Sequence, residues 1–82
     1  MARKTSSNDE MKYDVKEKLG VLSDNGRTRI ELRLVSFNDG DYKYDIRPWW
    51  EDDKGVEKMG KGIRLTEEEL TTLADIVDKV FE

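Results

Sequence analysis

The chain has 82 residues, 35% of them hydrophobic and 41% charged, with 15 Lys and Arg against 19 Asp and Glu for a net charge of −4. That length holds one domain. Cysteine and histidine are both absent, which excludes disulfides, thiol nucleophiles and thiolate metal sites, and removes the commonest general base and metal ligand.

No apolar run approaches the roughly 18 residues of a membrane span, and the basic start, Met1 to Asn8, is not followed by the apolar stretch of a secretory signal. The expected compartment is the cytoplasm. Met1 to Met11 is polar and aperiodic and reads as a disordered tail, with residues 12–82 as a single domain. A chain this short buries only about 60% of its unfolded surface. Without disulfides or a metal, its remaining staple is association, so a homodimer is expected.

Tyr13 to Leu22 alternates loosely, with Tyr13, Val15, Leu19 and Val21 on one side and Lys16 and Lys18 on the other. This predicts a first strand with a bulge at Gly20. Ser23-Asp24-Asn25-Gly26 predicts a hairpin turn, since Asn-Gly tolerates positive φ at both turn positions. Arg27 to Phe37 is the clearest strand. Period-two alternation puts Ile30, Leu32 and Leu34 on one face and Arg27, Arg29, Glu31, Arg33, Val35 and Phe37 on the other.

Asn38-Asp39-Gly40 is the next turn. Tyr42 to Trp50 is a third strand, with Tyr42, Tyr44 and Ile46 opposite Lys43, Asp45 and Arg47. Pro48 lacks a donor and so marks an edge position or a bulge. A bulge there would scramble parity, so the facing of Trp49 and Trp50 stays open, with one ring expected near the core and the other at a ligand or dimer surface. Glu51 to Gly55 is an acidic turn, and Val56 to Leu65 a fourth strand interrupted by glycines. Thr66-Glu67-Glu68-Glu69 is a capping box. It opens a helix whose Leu70, Leu73, Ala74, Val77, Val80 and Phe81 form one apolar stripe. The fold class is therefore α+β, a four-stranded antiparallel meander followed by one C-terminal helix.

The charge is unevenly placed. Thr66 to Glu82 carries a net −5, and the rest of the chain a net +1. Basic residues collect on the strands: Arg29, Arg33, Lys43, Arg47, Lys58, Lys61 and Arg64 among them. If the helix covers the Ile30, Leu32 and Leu34 face, the opposite face is basic and carries Phe37 and at least one tryptophan. A row of arginines on one strand is ordinarily a solvated face. Joined by aromatic rings, it acquires what unpaired nucleic acid needs, rings for bases and cations for phosphates. Catalysis finds little support. Asp52-Asp53 falls in a turn, and Gly60-Lys61-Gly62 lacks the spacing of a phosphate loop.

Two segments, Tyr44-Asp45-Ile46-Arg47-Pro48-Trp49-Trp50 and Lys61-Gly62-Ile63-Arg64-Leu65-Thr66, resemble the C-terminal domain of the transcriptional coactivator positive cofactor four, and still more its small bacterial relatives of the YdbC type. The resemblance runs from Tyr13 to Phe81. It implies a homodimer, without cofactor or catalysis, that binds single-stranded DNA on curved β-sheet surfaces and acts in transcription regulation or in protecting exposed strands. It implies a nucleoid-associated place within the cytoplasm. By the resemblance, Phe37 matches an aromatic at the end of the second strand, Arg47 and Trp50 match the Arg and Trp of the third, and Lys61 matches the Lys of Lys-Gly-Ile. Strand parity adds Arg29 and Arg33. Trp49, Lys43, Lys58 and Arg64 complete the candidate nucleic-acid-binding set, and Val77, Val80 and Phe81 the candidate dimer interface. Pro48 departs from the pattern, as does the absence of a long Ser- and Lys-rich tail. RNA binding and protein interaction through the acidic helix are the alternatives.

Overall fold

The computed structural model describes residues 12–82, so the tail expected over Met1 to Met11 lies outside the described residues. Five strands and one helix follow in order: β1 (Tyr13–Asp24), β2 (Arg29–Phe37), β3 (Lys43–Glu51), β4 (Glu57–Met59), β5 (Ile63–Leu65) and α1 (Glu67–Val80). All the described strands belong to one antiparallel sheet in the order β1-β2-β3, with β4 and β5 both pairing with β3. The α+β meander with one C-terminal helix is thus the observed fold.

The fourth strand is one run broken in the middle. β4 pairs with the end of β3, Trp49 opposite Met59, and β5 pairs with its start, Ile46 opposite Ile63. Between them the register slips by one residue over Gly60–Gly62, opposite Arg47 and Pro48. The Gly60 N–H donates to the Pro48 carbonyl at 3.0 Å. The C=O of Pro48 therefore faces this edge, and so does its missing N–H. The ladder is interrupted where proline cannot serve it. β3 itself pairs with β2 without a slip from Lys43 to Trp49, so parity survives Pro48. The glycines are needed for the close approach. A Cβ on Gly62 would lie 2.3 Å from the Arg47 Cβ and 2.4 Å from the Ile46 carbonyl oxygen, and one on Gly60 would lie 2.8 Å from the Pro48 ring.

β1 departs most from simple alternation. Its register with β2 shifts three times, between Val15 and Glu17, Lys18 and Gly20, and Val21 and Ser23. The bulge expected at Gly20 is present, with Leu19 the unpaired residue, and there are two more. The first moves Lys18 opposite Arg33, onto the face of Tyr13 and Val15, and the second restores parity, so Val21 stands opposite Glu31 on that face as expected. The expected division of β1 is corrected accordingly, because each extra residue inverts the parity of the residues after it.

The bulges also bend the sheet. Tyr13 stands opposite Phe37 at one end of β2, and Trp49 opposite Arg29 at the other. Along a flat strand those ends are about 26 Å apart. Yet the rings of Tyr13 and Trp49 have centroids 5.7 Å apart. Two leaning side chains close only part of that gap, so the sheet curls, and the face with Tyr13, Val35, Phe37 and Trp49 is its inside. The buried apolar residues, Val35, Phe37 and Trp49, all lie there.

The first turn takes its shape from side-chain caps. Asn25 Oδ1 accepts from the N–H groups of Arg27 and Thr28, and Asp24 Oδ1 from that of Gly26. Only Gly26 has positive φ there, 93°, rather than both Asn25 and Gly26. The second turn uses two left-handed residues, Asn38 at 54° and Asp39 at 63°, residue types whose short polar side chains tolerate that region.

Helix α1 begins as expected. The Thr66 hydroxyl accepts from the Glu69 N–H at 3.1 Å, and the Glu69 carboxylate accepts from the Thr66 N–H at 2.8 Å. The helix packs against β3 and β5 only, so its expected cover of the Ile30, Leu32 and Leu34 face is not met. No helix residue is buried, and Ile30 on β2 remains 39% exposed. α1 follows directly on β5, and β3 stands between β5 and β2. No helix among the described residues is long and apolar enough to cross a membrane.

Candidate nucleic-acid interface

Cross-strand partners share a face, so the register sorts the candidate residues. Arg29, Arg33, Phe37, Lys43, Arg47, Trp49 and Arg64 lie on the inner face. Trp50 and Lys58, paired across β3 and β4, lie on the outer face with Ile30, Pro48 and Ile46. Lys61 is exposed at the Gly60–Gly62 break. The continuous pairing of β3 settles the two indoles: Trp49 points in and has no exposed surface, while Trp50 points out and is half-buried.

The inner face is not a free basic surface. Arg33 is fully buried, with its guanidinium carbon 3.7 Å from the centre of the Trp49 ring. It donates to Glu31 at 2.9 Å and, through both terminal nitrogens, to Glu57 at 3.2 and 3.0 Å. Arg29 donates to Glu31 at 2.6 Å and to both oxygens of Glu51 at 3.3 and 3.1 Å. Arg47 grips the buried Asp45 with two bonds of 2.6 Å. The exposed arginine row read from alternation is therefore corrected. Glu31 and Asp45 share its face, and Glu51 and Glu57 arrive from the β3–β4 hairpin, so Arg29, Arg33 and Arg47 each meet a carboxylate. Trp49 and Arg33 are packing residues, because neither presents surface to a ligand.

These pairs set the ionisation of the acids. Burial by itself would raise the Glu31 carboxyl, but the hydrogen bonds from Arg33 and Arg29 outweigh it and hold the group below the usual carboxylate range. Glu57 is lowered chiefly by its bonds from Arg33, against partial burial and with help from Lys18. Arg29 is raised by its bonds to Glu51 and Glu31. All three groups stay charged at neutral pH.

Among the described residues, cations without an ion-pair partner lie along the β4–β5 edge, with Lys43 at the start of the neighbouring β3. Lys58 and Lys61 are exposed, and Arg64 and Lys43 are half-buried. The Phe37 ring meets two guanidiniums, those of Arg47 and Arg64, each 4.7 Å from its centre. Arg64 donates to the Asp41 carbonyl at 3.3 Å, and its Nε has no acceptor among the described residues. At the far end of β3, Trp50 lines a cleft of about 480 Å³ with Asn25, Arg27, Thr28 and Glu51. The first-turn contribution to that wall was not legible in the alternation pattern. The Asn-Gly turn marked the place, and the β2–β3 register, which pairs Arg29 with Trp49, brings it beside Trp50. Among the described residues no group of three acidic side chains is placed to hold a metal ion.

Residues 23–76 match the family described as Transcriptional Coactivator p15 (PC4). This span holds every strand from β2 onward and most of the helix. The chain belongs to the PC4 family. It is also 39% identical over 74 residues to an uncharacterized protein of Treponema pallidum (strain Nichols), an alignment covering 89% of this chain and 84% of that protein. The family assignment agrees with the resemblance carried by Asp45-Ile46-Arg47 and Lys61-Gly62-Ile63. The similar bacterial protein carries no described activity.

Proposed function

We propose that this PC4-family protein is a non-enzymatic, single-stranded-DNA-binding module that works as a two-fold homodimer in transcription or in handling exposed strands. The observation that carries the reading is the β4–β5 edge. Lys58 and Lys61 are exposed along it, with the half-buried Trp50 ring paired across to Lys58 on the outer face, while Arg64 lies on the inner face over the buried Phe37 ring. Exposed lysines beside an accessible indole suit a chain of unpaired nucleotides, whose phosphates need charge and whose bases need a flat apolar partner. Arg47, clamped by Asp45, also contacts the Phe37 ring and acts as a positioning group. The overall charge of −4 gives little long-range attraction, so binding depends on this local edge.

The dimer rests on the uncovered apolar surface. Ile63, Ile76, Val77, Val80 and Phe81 are 56, 52, 43, 67 and 82% exposed, a continuous demand for a partner that a second copy of the chain would meet.

Titration of a thymine oligonucleotide into the protein, followed by tryptophan fluorescence, tests the function. Binding should quench or shift Trp50, exceed binding of the same sequence as duplex, and show a log–log salt slope of about −3 for roughly four phosphates. The Lys58→Ala, Lys61→Ala double variant should flatten that slope by about 1.4. Equal or tighter binding of duplex, or none at low salt, defeats the reading. A matched RNA oligomer bound more tightly would reassign the ligand.

A further inference from the structure

Glu51 and Glu57 stand directly opposite one another across the β3–β4 pair. Like charges in that position repel. They are held together because each grips an arginine of β2 through two bonds, Glu51 on Arg29 and Glu57 on Arg33, and because Arg29 also reaches within 3.8 Å of Glu57. A two-oxygen grip on a guanidinium is also how a phosphate is bound. Beneath the two acids, Glu31 bridges Arg29 and Arg33 and is nearly inaccessible, whereas the Glu51 and Glu57 side chains are 47 and 29% exposed. The outer carboxylates are the removable ones.

We infer that Glu51 and Glu57 are built-in competitors of the nucleic-acid backbone, occupying a phosphate site at the part-exposed Arg29 and holding the affinity for single strands down. The inference rests on the proposed function, and it adds to the exposed edge a second, masked contact on the inner face. Both acids belong to the hairpin whose turn is Asp52 to Val56, and both are more exposed than Glu31. Glu31 stays behind and keeps the arginines paired and oriented. Released, the site takes phosphodiester oxygens, with no covalent step.

The test compares wild type, Glu51→Gln, the Glu51→Gln, Glu57→Gln double variant and Asp53→Asn as a charge control, since Asp53 lies in the same turn and bonds no arginine among the described residues. Each is titrated with a thymine oligonucleotide over a range of salt, with melting curves to establish folding. Removing Glu51 should tighten binding on the order of tenfold, the effect of one further charged hydrogen-bonded contact, and steepen the salt slope by about 0.7. Asp53→Asn should do neither, and adding Arg29→Ala to Glu51→Gln should erase the gain. Should the double variant fail to fold, Glu51→Gln alone decides. A gain equal to that of Asp53→Asn, or one that survives Arg29→Ala, overturns the inference. If wild type binds and Glu51→Gln is no tighter, the inference fails while the proposed function stands. If neither binds, both fail. Binding by the glutamine variants alone supports the masked site and removes the exposed edge as the main contact.

Discussion

The guanidinium of Arg33 lies over the ring of Trp49, 3.7 Å from its centre, and neither residue has exposed surface. A charge is buried here by three devices at once. The ring face offers a cation–π contact, Glu31 and Glu57 neutralise it, and the curl of the sheet closes the inner face around them. The inner face is thus a polar-lined core rather than an open platform.

Trp49 and Trp50 should therefore behave as different kinds of residue. Trp49→Ala removes a fully buried indole and the support of Arg33, and should destabilise the protein by about 3–5 kcal/mol, the range for large core truncations. Trp50→Ala should leave most of the stability and weaken single-strand binding by about 1–3 kcal/mol, the range for a stacked base. Urea denaturation and oligonucleotide titration of both variants check this. A reversal of the two effects would place the ligand on the inner face.

Stability should fall in acid. The carboxyls of Glu31 and Glu57 have folded-state values below their unfolded ones. Their contribution is complete above the unfolded value of about 4.3 and is lost as pH drops through the lower folded values. Urea midpoints should hold steady from neutrality to about pH 5 and drop below about pH 4. Glu31→Gln should remove much of that acid dependence, since it takes away the carboxylate shared by both arginines.

Gly62→Ala should be among the most damaging single changes in the chain. Its methyl would meet the Cβ of Arg47 and the carbonyl of Ile46 at 2.3 and 2.4 Å, backbone-anchored atoms without freedom to retreat. Separating β5 from β3 would relieve the clash, and it would also release the helix, which packs on those two strands. A loss of helical circular dichroism together with a lowered melting temperature is expected. Gly55→Ala, with open space around it but a φ of 79°, should cost less.

The helix surface should respond to protein concentration. If Val77, Val80 and Phe81 lie at a homodimer interface, folding and association are linked, and the melting temperature rises with concentration. Val80→Asp with Phe81→Asp should abolish that rise and yield a monomer in sedimentation equilibrium. A concentration-independent melting temperature in the unaltered protein would refute the dimer.

How far the chain could be read before folding differs between its parts. The turn at Asn25-Gly26, the alternation of β2 and β3, the Thr66–Glu69 capping box and the helical stripe are local, each set by backbone preference or a contact within a few residues, and the element order came from them. The site did not emerge in the same way. Alternation places Arg29, Arg33 and Phe37 on one face, but it cannot say that Glu51 and Glu57 come back across a hairpin to occupy those arginines. Nor could it resolve Trp49 from Trp50. That required the register slip to fall in Gly60–Gly62 rather than at Pro48. Three bulges in β1 then decided which face is inside, since a bulge is a property of two strands paired and carries only a weak mark in one of them. Charge is likewise settled only in space: the sequence counts cations, and the fold determines which of them, Lys58 and Lys61 rather than Arg33, remain free to meet a phosphate, because an ion pair forms between residues that only tertiary contact makes neighbours.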